Sequence, residues 1–339
     1  MADILILGGT RNLGHVTALE LFNRGHAVAI MNRGQTRDEL PMGIERLRAD
    51  RSNTLQVRDA VRGRSFDLIL DATTYTGADS AQAIQIFSGR AGRYIFVSSG
   101  QVYLVRDGLS RPFKEGDYVG PVMPEPARES ADHPSWLYGA DKRDAEDAFM
   151  AARTEADFPV TTLRLPMVAS ERDHYGRIQG YAARLLDGGP LLIPEGEGLP
   201  LRHVYVGDVA NLITGLAETK AGMGGDYNIS FGESMKLDRF IELIAAAAGV
   251  SPQIVRADRS ALEARGLLPH CSPFSGRWMS ELDNSKSLAE LGTAGIRYTA
   301  PEIYLSRIVR DFKTRWKSGG LEPDGYGQRA EEIAFTRGS

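Results

Sequence analysis

The sequence is poor in cysteine: Cys271 is the only one in 339 residues. No internal disulfide can form, and its neighbours Ser272 and Pro273 offer no metal-ligand spacing, so neither a disulfide scaffold nor a metal site is expected. No apolar run reaches the length of a membrane span. Met1-Ala2-Asp3 leads into a short apolar segment with no basic flank and no small-residue cleavage site, so a secretory leader is not expected and the cytoplasm is the expected location. Positive charge is not in excess either. The 40 Lys and Arg against 44 Asp and Glu leave a net charge of −4, which gives no global attraction for polyphosphate backbones and argues against nucleic acid as partner. No internal repeat is present.

What is there is alternation. Ile4 to Leu7 is an apolar run ended by Gly8-Gly9, and an amphipathic stretch from about His15 to Asn23 follows. Further strands are expected at Ala27–Met31, Arg46–Ala49, Leu68–Leu70, Tyr94–Val97 and Val160–Leu165, with a short one at Val204–Val206. Long helices are expected at Ala140–Ala152, Phe240–Ala248 and Pro301–Trp316. Buried strands alternating with helices predict an α/β fold, a doubly wound parallel sheet of the Rossmann type. Past Pro166 the alternation weakens and Gly/Pro clusters appear. The expected division is a dinucleotide-binding core over 1–166 with returning segments near 203–230, a smaller substrate-binding lobe over 167–318, and a polar tail over 319–339.

Gly8, Gly9, Thr10, Arg11, Asn12, Leu13 and Gly14 join the first strand to the first helix. In that context a glycine turn lets the backbone approach a pyrophosphate, whose charge the helix N-terminus favours. At the end of the second strand, NAD sites present an acid to the ribose 2′-hydroxyl, whereas NADP sites offer a basic residue to the 2′-phosphate. Here that end reads Met31-Asn32-Arg33-Gly34, with no carboxylate. Arg33 and Arg11 therefore favour NADP, with NAD as the alternative. Asp50, after the third strand, could accept from the adenine amino group or cap the next helix.

Tyr138 and Lys142 stand at i and i+4 at the expected start of the long helix, hence on one face. The ammonium can lower the phenol pKa from about 10, which suits the phenol to exchange a proton with a substrate hydroxyl as hydride moves at the nicotinamide. Ser99, at the carboxyl end of the fifth strand, is placed to hydrogen-bond the substrate oxygen.

Together these motifs resemble the extended short-chain dehydrogenase/reductase family, also called the NAD-dependent epimerase/dehydratase family. Ala49-Asp50-Arg51, Leu163-Arg164-Leu165-Pro166 and Val204 to Ala210 add to the likeness, while Tyr227 to Ser230 and Asp283 to Lys286 resemble its C-terminal lobe. Arg11 stands where extended members usually carry a middle glycine. Gly-Gly-Thr-Arg turns resemble an atypical branch that includes the chloroplast stem-loop RNA-binding proteins.

The resemblance implies cofactor contacts from Arg51, Ala72, Thr73, Pro166 and Val168 as well. It implies substrate held between the two lobes, with Tyr75, Gln101, Tyr103, His133 and Arg202 as its contacts. It also implies a homodimer through helices flanking Tyr138. Gln101 replaces the acidic residue that related dehydratases carry before Val102-Tyr103, so water elimination is disfavoured. The expected function is an NADP(H)-dependent oxidoreductase or epimerase acting at a secondary alcohol or ketone of a sugar or nucleotide sugar. An RNA-binding or RNA-cleaving protein on the same fold and a non-catalytic NADP(H) sensor are the alternatives.

Overall fold

The structure is a computed structural model that describes residues 1–196, 198–317, 323 and 325–338. The chain begins β1 (Asp3–Leu7), α1 (Asn12–Asn23), β2 (Ala27–Asn32), β3 (Glu45–Arg48), α2 (Thr54–Ala60), β4 (Phe66–Asp71), α3 (Gly77–Phe87) and β5 (Ala91–Ser99). It continues with α4 (Gln101–Leu104), α5 (His133–Ala156), β6 (Val160–Leu165), β7 (Val168–Ala169), α6 (Arg177–Leu186), β8 (Leu191–Pro194), β9 (Val204–Tyr205) and α7 (Val206–Glu218). The rest is β10 (Asp226–Asn228), α8 (Leu237–Ala248), β11 (Ile254–Ala257), α9 (Arg259–Ala264), α10 (Ser285–Glu290), α11 (Pro301–Lys317) and α12 (Arg329–Gly338).

One all-parallel sheet runs in the order β10-β6-β5-β4-β1-β2-β3. The strand order reverses beside β1, which makes the carboxyl ends of β1 and β4 the topological switch point, where open sheets of this kind hold ligands. The central strands β1, β4 and β5 carry apolar runs because both faces of the sheet are covered there. Ile4, Leu5, Ile6 and Leu7 are all buried, as are Ile69, Ile95 and Phe96.

Two compact units divide the chain. The first takes Met1–Pro166, Val206–Gly232 and Ser280–Tyr298; the second takes Met167–Tyr205, Glu233–Met279 and Thr299–Ser339. Residues 280–298, expected in the smaller lobe, belong to the first unit. The Phe113 N–H donates to Glu281 O and the Asp283 N–H to Phe113 O, each at 2.8 Å, which fastens the segment to the first unit. Tyr227–Ser230 and Asp283–Lys286 accordingly lie in the first unit, not in the C-terminal lobe.

Two helices extend beyond their expected bounds or lie where none is expected. α5 starts at His133, with Pro134 in its first turn, so Tyr138 sits more than a turn inside it; proline is pre-organised for that first turn, and the polar residues before Ala140 hide the start from an apolar pattern. The expected polar tail also contains α12. There Glu332 is fully buried and pairs with Arg184 of α6, while Arg329 pairs with Asp187 at 2.6 Å. Positions 318–322, 324 and 339 of that tail lie outside the described residues. The core of the second unit gathers α6, α8 and α11 through residues such as Tyr181, Phe240, Ile244, Leu305 and Phe312.

Candidate active site

The glycine turn is built by close approach. Gly9 has φ +89°, and a Cβ there would lie 2.5 Å from Ile30 Cγ2; a Cβ on Gly14 would lie 2.8 Å from the Gly9 nitrogen. Only glycine lets β1 pass into α1 this tightly. Arg11 is the N-cap of α1 and supplies no side-chain cap, and its exposed guanidinium reaches toward Thr36 Oγ1 at 3.5 Å. The first N–H groups of a helix have no intrahelical partners, and the dipole there favours an anion. Thr10 and Asn12 are half-buried in the turn and Leu13 is buried beneath it. The cradle fits a pyrophosphate.

Around it stand the ends of the neighbouring strands. Asn32 Oδ1 accepts from the Gly34 N–H at 2.8 Å and from Arg48 Nη1. Arg33 is exposed. The hydrogen bonds from the Ser52 hydroxyl and N–H hold the Asp50 carboxyl below its ordinary value, and the Arg33 charge adds to this. Asp50 does not cap α2; Asn53 does, its Oδ1 accepting from Leu55 and Gln56 N–H. The Arg51 guanidinium is engaged within the protein. Its Nη2 donates to Asp71 Oδ2 at 2.8 Å and to Thr74 Oγ1.

Asp71, which no motif singles out, ends β4 and organises the loop that follows. Its fully buried carboxylate accepts from Thr73 N and Oγ1, Thr74 N and Oγ1, the Tyr94 hydroxyl and Arg51. Burial pushes this carboxyl up, but Arg51 and the hydroxyl donors hold it below the ordinary value. The loop after β4 is thereby fixed. Ala72 and Thr73 are half-buried, with Thr73 Cγ2 3.1 Å from a Cβ placed on Gly8. A polar residue ending the apolar run Leu68–Leu70 was the available signal.

That loop also receives Lys142. The buried ammonium donates to Thr74 O at 2.6 Å and to Val97 O at 3.0 Å, and it lies 4.9 Å from the ring centroids of both Tyr75 and Phe96. Desolvation pushes it down to about 8 against the pull of Asp71, Glu146 and Asp79. Tyr138, one turn earlier on the same helix, is half-buried with its ring 6.3 Å from that of Tyr75. Ser99 Oγ accepts from the Gln101 N–H at 3.2 Å. Lys142 and Ser99 are thus gathered with the β4 loop at the carboxyl ends of β4 and β5.

Other expected contacts fare differently. Tyr103 is fully buried, and its hydroxyl donates to Asn228 Oδ1 at 2.8 Å while accepting from Arg164 Nη1 at 2.8 Å, so it is no open substrate contact. Arg164 in turn pairs with buried Glu146, which also accepts from Ser98. This network pins β5, β6 and α5 together behind Ser99; a charge inside the apolar run Val160–Leu165 was its trace in the sequence. Gln101 is half-buried, and its Oε1 has no hydrogen-bond partner among the described residues. His133 Nε2 pairs with Glu125 at 2.9 Å. Pro166 ends the first of the three segments that make up the first unit. In the second unit, Val168 lies in β7 and Arg202 Nε donates to Ser234 Oγ at 3.0 Å.

The second unit carries its own cleft, of about 460 Å³, lined by Ile193, Pro194, Lys236, Arg256, Arg259 and Ser275 among others. Arg256 there pairs with Asp238 and Arg259 donates to Ser275 O at 2.7 Å. Among the described residues no cluster of His, Cys, Asp or Glu could hold a metal ion, and no helix is long and apolar enough to cross a membrane.

The sheet order and the glycine cradle at its switch point define a Rossmann dinucleotide-binding protein. Residues 4–230 match the NAD dependent epimerase/dehydratase family, and the chain belongs to it, an enzyme family of nicotinamide-dependent oxidoreductases and epimerases. A 2′-dehydrokanamycin reductase of Streptomyces kanamyceticus is 26% identical over 166 residues, 49% of this chain and 42% of the reductase, so the chain spans less than half of that relative. Among solved structures, a dTDP-glucose 4,6-dehydratase of Bacillus anthracis in complex with NAD superposes with a TM-score of 0.73 at 14% identity, over 94% of this chain and 98% of that one. A UDP-N-acetylglucosamine 4-epimerase of Methanobrevibacter ruminantium, in complex with UDP-N-acetylmuramic acid, gives 0.72 at 17% identity, over 93% and 99%. At these identities the likeness is one of fold.

Proposed function

We propose that this chain is an NADP(H)-dependent oxidoreductase or epimerase that transfers hydride at a secondary alcohol or ketone of a sugar-like, nucleotide-linked substrate, with Tyr138 as the acid/base. The observation that carries it is the desolvated Lys142 ammonium, held between Thr74 O and Val97 O one helical turn from Tyr138, at the end of the sheet that holds the glycine cradle. The turn Gly8–Gly14 would hold the pyrophosphate, Asn32 and Arg33 the adenosine ribose, and Ala72 and Thr73 the chain's approach to the nicotinamide. The nicotinamide, when bound, supplies or accepts the hydride.

This chain's residues handle the proton. Tyr138 gives its phenolic proton to the substrate oxygen in reduction and takes it back in oxidation, while Ser99 Oγ hydrogen-bonds that oxygen. Two of the three ammonium donors of Lys142 are held by carbonyls, which fixes a positive charge beside Tyr138 and favours its phenolate. Gln101 carries an amide in place of a carboxylic acid, which supports reductase or epimerase chemistry over loss of water. The reductase likeness points the same way. Nucleotide sugars named for the structural neighbours support a nucleotide-linked substrate. Exposed Arg11 and Arg33 support NADP.

The test is a thermal-shift assay with NADPH and NADH, then turnover on a panel of UDP- and dTDP-sugars. Tyr138→Phe should keep the cofactor-induced shift and lose about 10²- to 10⁴-fold in kcat/KM. Absence of any shift with either cofactor removes the reading, and full activity in the variant removes Tyr138 from its role.

A further inference from the structure

β2 and β3 pair in a register that sets Asn32, the last residue of β2, opposite Arg48, the last residue of β3. Two donors meet on one carboxamide oxygen: the Gly34 N–H at 2.8 Å and Arg48 Nη1. A backbone N–H and a guanidinium can only donate. The atom they share is therefore Oδ1, and the Asn32 amide is fixed with its NH2 group turned away from both. That Nδ2 is buried and has no hydrogen-bond partner among the described residues.

Arg48 lies flat across the turn. Its Cδ, Nε and Cζ are 3.1, 3.1 and 3.2 Å from where a Cβ on Gly34 would be, at a φ of +73°, so glycine leaves the room the guanidinium occupies. Exposed Arg33 follows Asn32, and Arg11 approaches from the glycine turn toward Thr36. Of the acids nearby, Asp38 pairs with Arg46 at 2.6 Å, and Asp50 accepts from Ser52 through Oδ1. Where an NAD site offers a carboxylate to accept from a ribose hydroxyl, this edge offers donors. A hydroxyl has a proton to give and finds its acceptor, Asn32 Oδ1, already taken; a 2′-phosphate has only acceptor oxygens and negative charge.

We infer that Arg48 is a specificity-determining residue for the 2′-phosphorylated cofactor, both as an exposed guanidinium donor and as the partner that occupies the Asn32 carboxamide oxygen. This rests on the NADP reading above, and the experiment separates the two. Binding of adenosine 2′,5′-bisphosphate and of 5′-AMP, which differ only in the 2′-phosphate, is measured by calorimetry on the full chain, with no turnover required.

The wild-type protein should bind the bisphosphate more tightly than AMP. Arg48→Ala should weaken the bisphosphate by about tenfold or more and leave AMP within about twofold, as expected for one charged hydrogen-bonding group. Asn32→Asp, which puts a carboxylate in place of the carboxamide with little change of shape, should lower the bisphosphate affinity and raise that for AMP. Arg48 is exposed on an edge strand, and an unchanged thermal melt of each variant checks the fold. A wild-type protein that binds both probes equally overturns the NADP reading and this inference with it. A wild-type preference that survives in both variants, or a loss in Arg48→Ala that is equal for both probes, overturns this inference and leaves the NADP reading standing.

Discussion

Asp71 shows how much a single buried carboxylate can organise. It gathers both threonines of the loop after β4, the Tyr94 hydroxyl and Arg51, and the loop it fixes presents the Thr74 carbonyl to Lys142. Asp71→Ala removes the partner of a guanidinium that is itself mostly buried and leaves three hydroxyls, those of Thr73, Thr74 and Tyr94, without their acceptor. Breaking such a pair costs about 3–5 kcal/mol. Urea unfolding should show a loss of that order, and a variant as stable as wild type refutes the account. Lys142 and Ser99 are identifiable from sequence spacing and strand position, but their supports are not. Nothing local in Arg51 or Tyr103 tells that the first turns inward to Asp71 and that the second spends its hydroxyl on Asn228 and Arg164.

At the scale of elements, the first turn of the sheet depends on the missing Cβ atoms of Gly9 and Gly14. Gly9→Ala must force a methyl to within 2.5 Å of Ile30 Cγ2 at a positive φ, at a cost of about 1–3 kcal/mol, and it should weaken dinucleotide binding at the same time. Asn53→Ala serves as the contrast: it removes the cap of α2, should cost about 1 kcal/mol, and should leave dinucleotide affinity unchanged. Chemical denaturation and fluorescence titration of NADPH on both variants check the pair; equal affinities in the two would deny the glycine turn its binding role. The turn and strand β6 are readable in the sequence because glycine spacing and apolar runs are local signals. The start of α5 at His133 and the helix α12 are not, since a polar first turn and a helix anchored by the buried Arg184–Glu332 pair carry no apolar stripe that stands out.

For the whole molecule, acid stability turns on a histidine of the second unit. His203 is buried with its ring 4.8 Å from that of Phe274 and 5.1 Å from that of Phe240. Desolvation, with the Arg177 charge adding to it, lowers its pKa to about 3. The unfolded chain takes up this proton near pH 6.5 and the folded chain does not, so the contribution is complete above about 6.5 and falls by about 1.4 kcal/mol per pH unit below it. His203→Phe should flatten the stability profile between pH 4 and 6.5 relative to wild type, measured by denaturant unfolding at each pH. Parallel profiles for the two proteins contradict a neutral buried imidazole.

The sequence by itself determined the doubly wound parallel sheet, the glycine cradle and the Tyr138 and Lys142 spacing, because apolar runs, glycine turns and helical periodicity act over a few neighbouring residues. Only the tertiary structure decided that 280–298 joins the first unit, that Asp71 organises the β4 loop and that Arg48 orients Asn32. Each of those rests on side chains brought together from distant strands, where burial and the need to satisfy every polar group choose the partner.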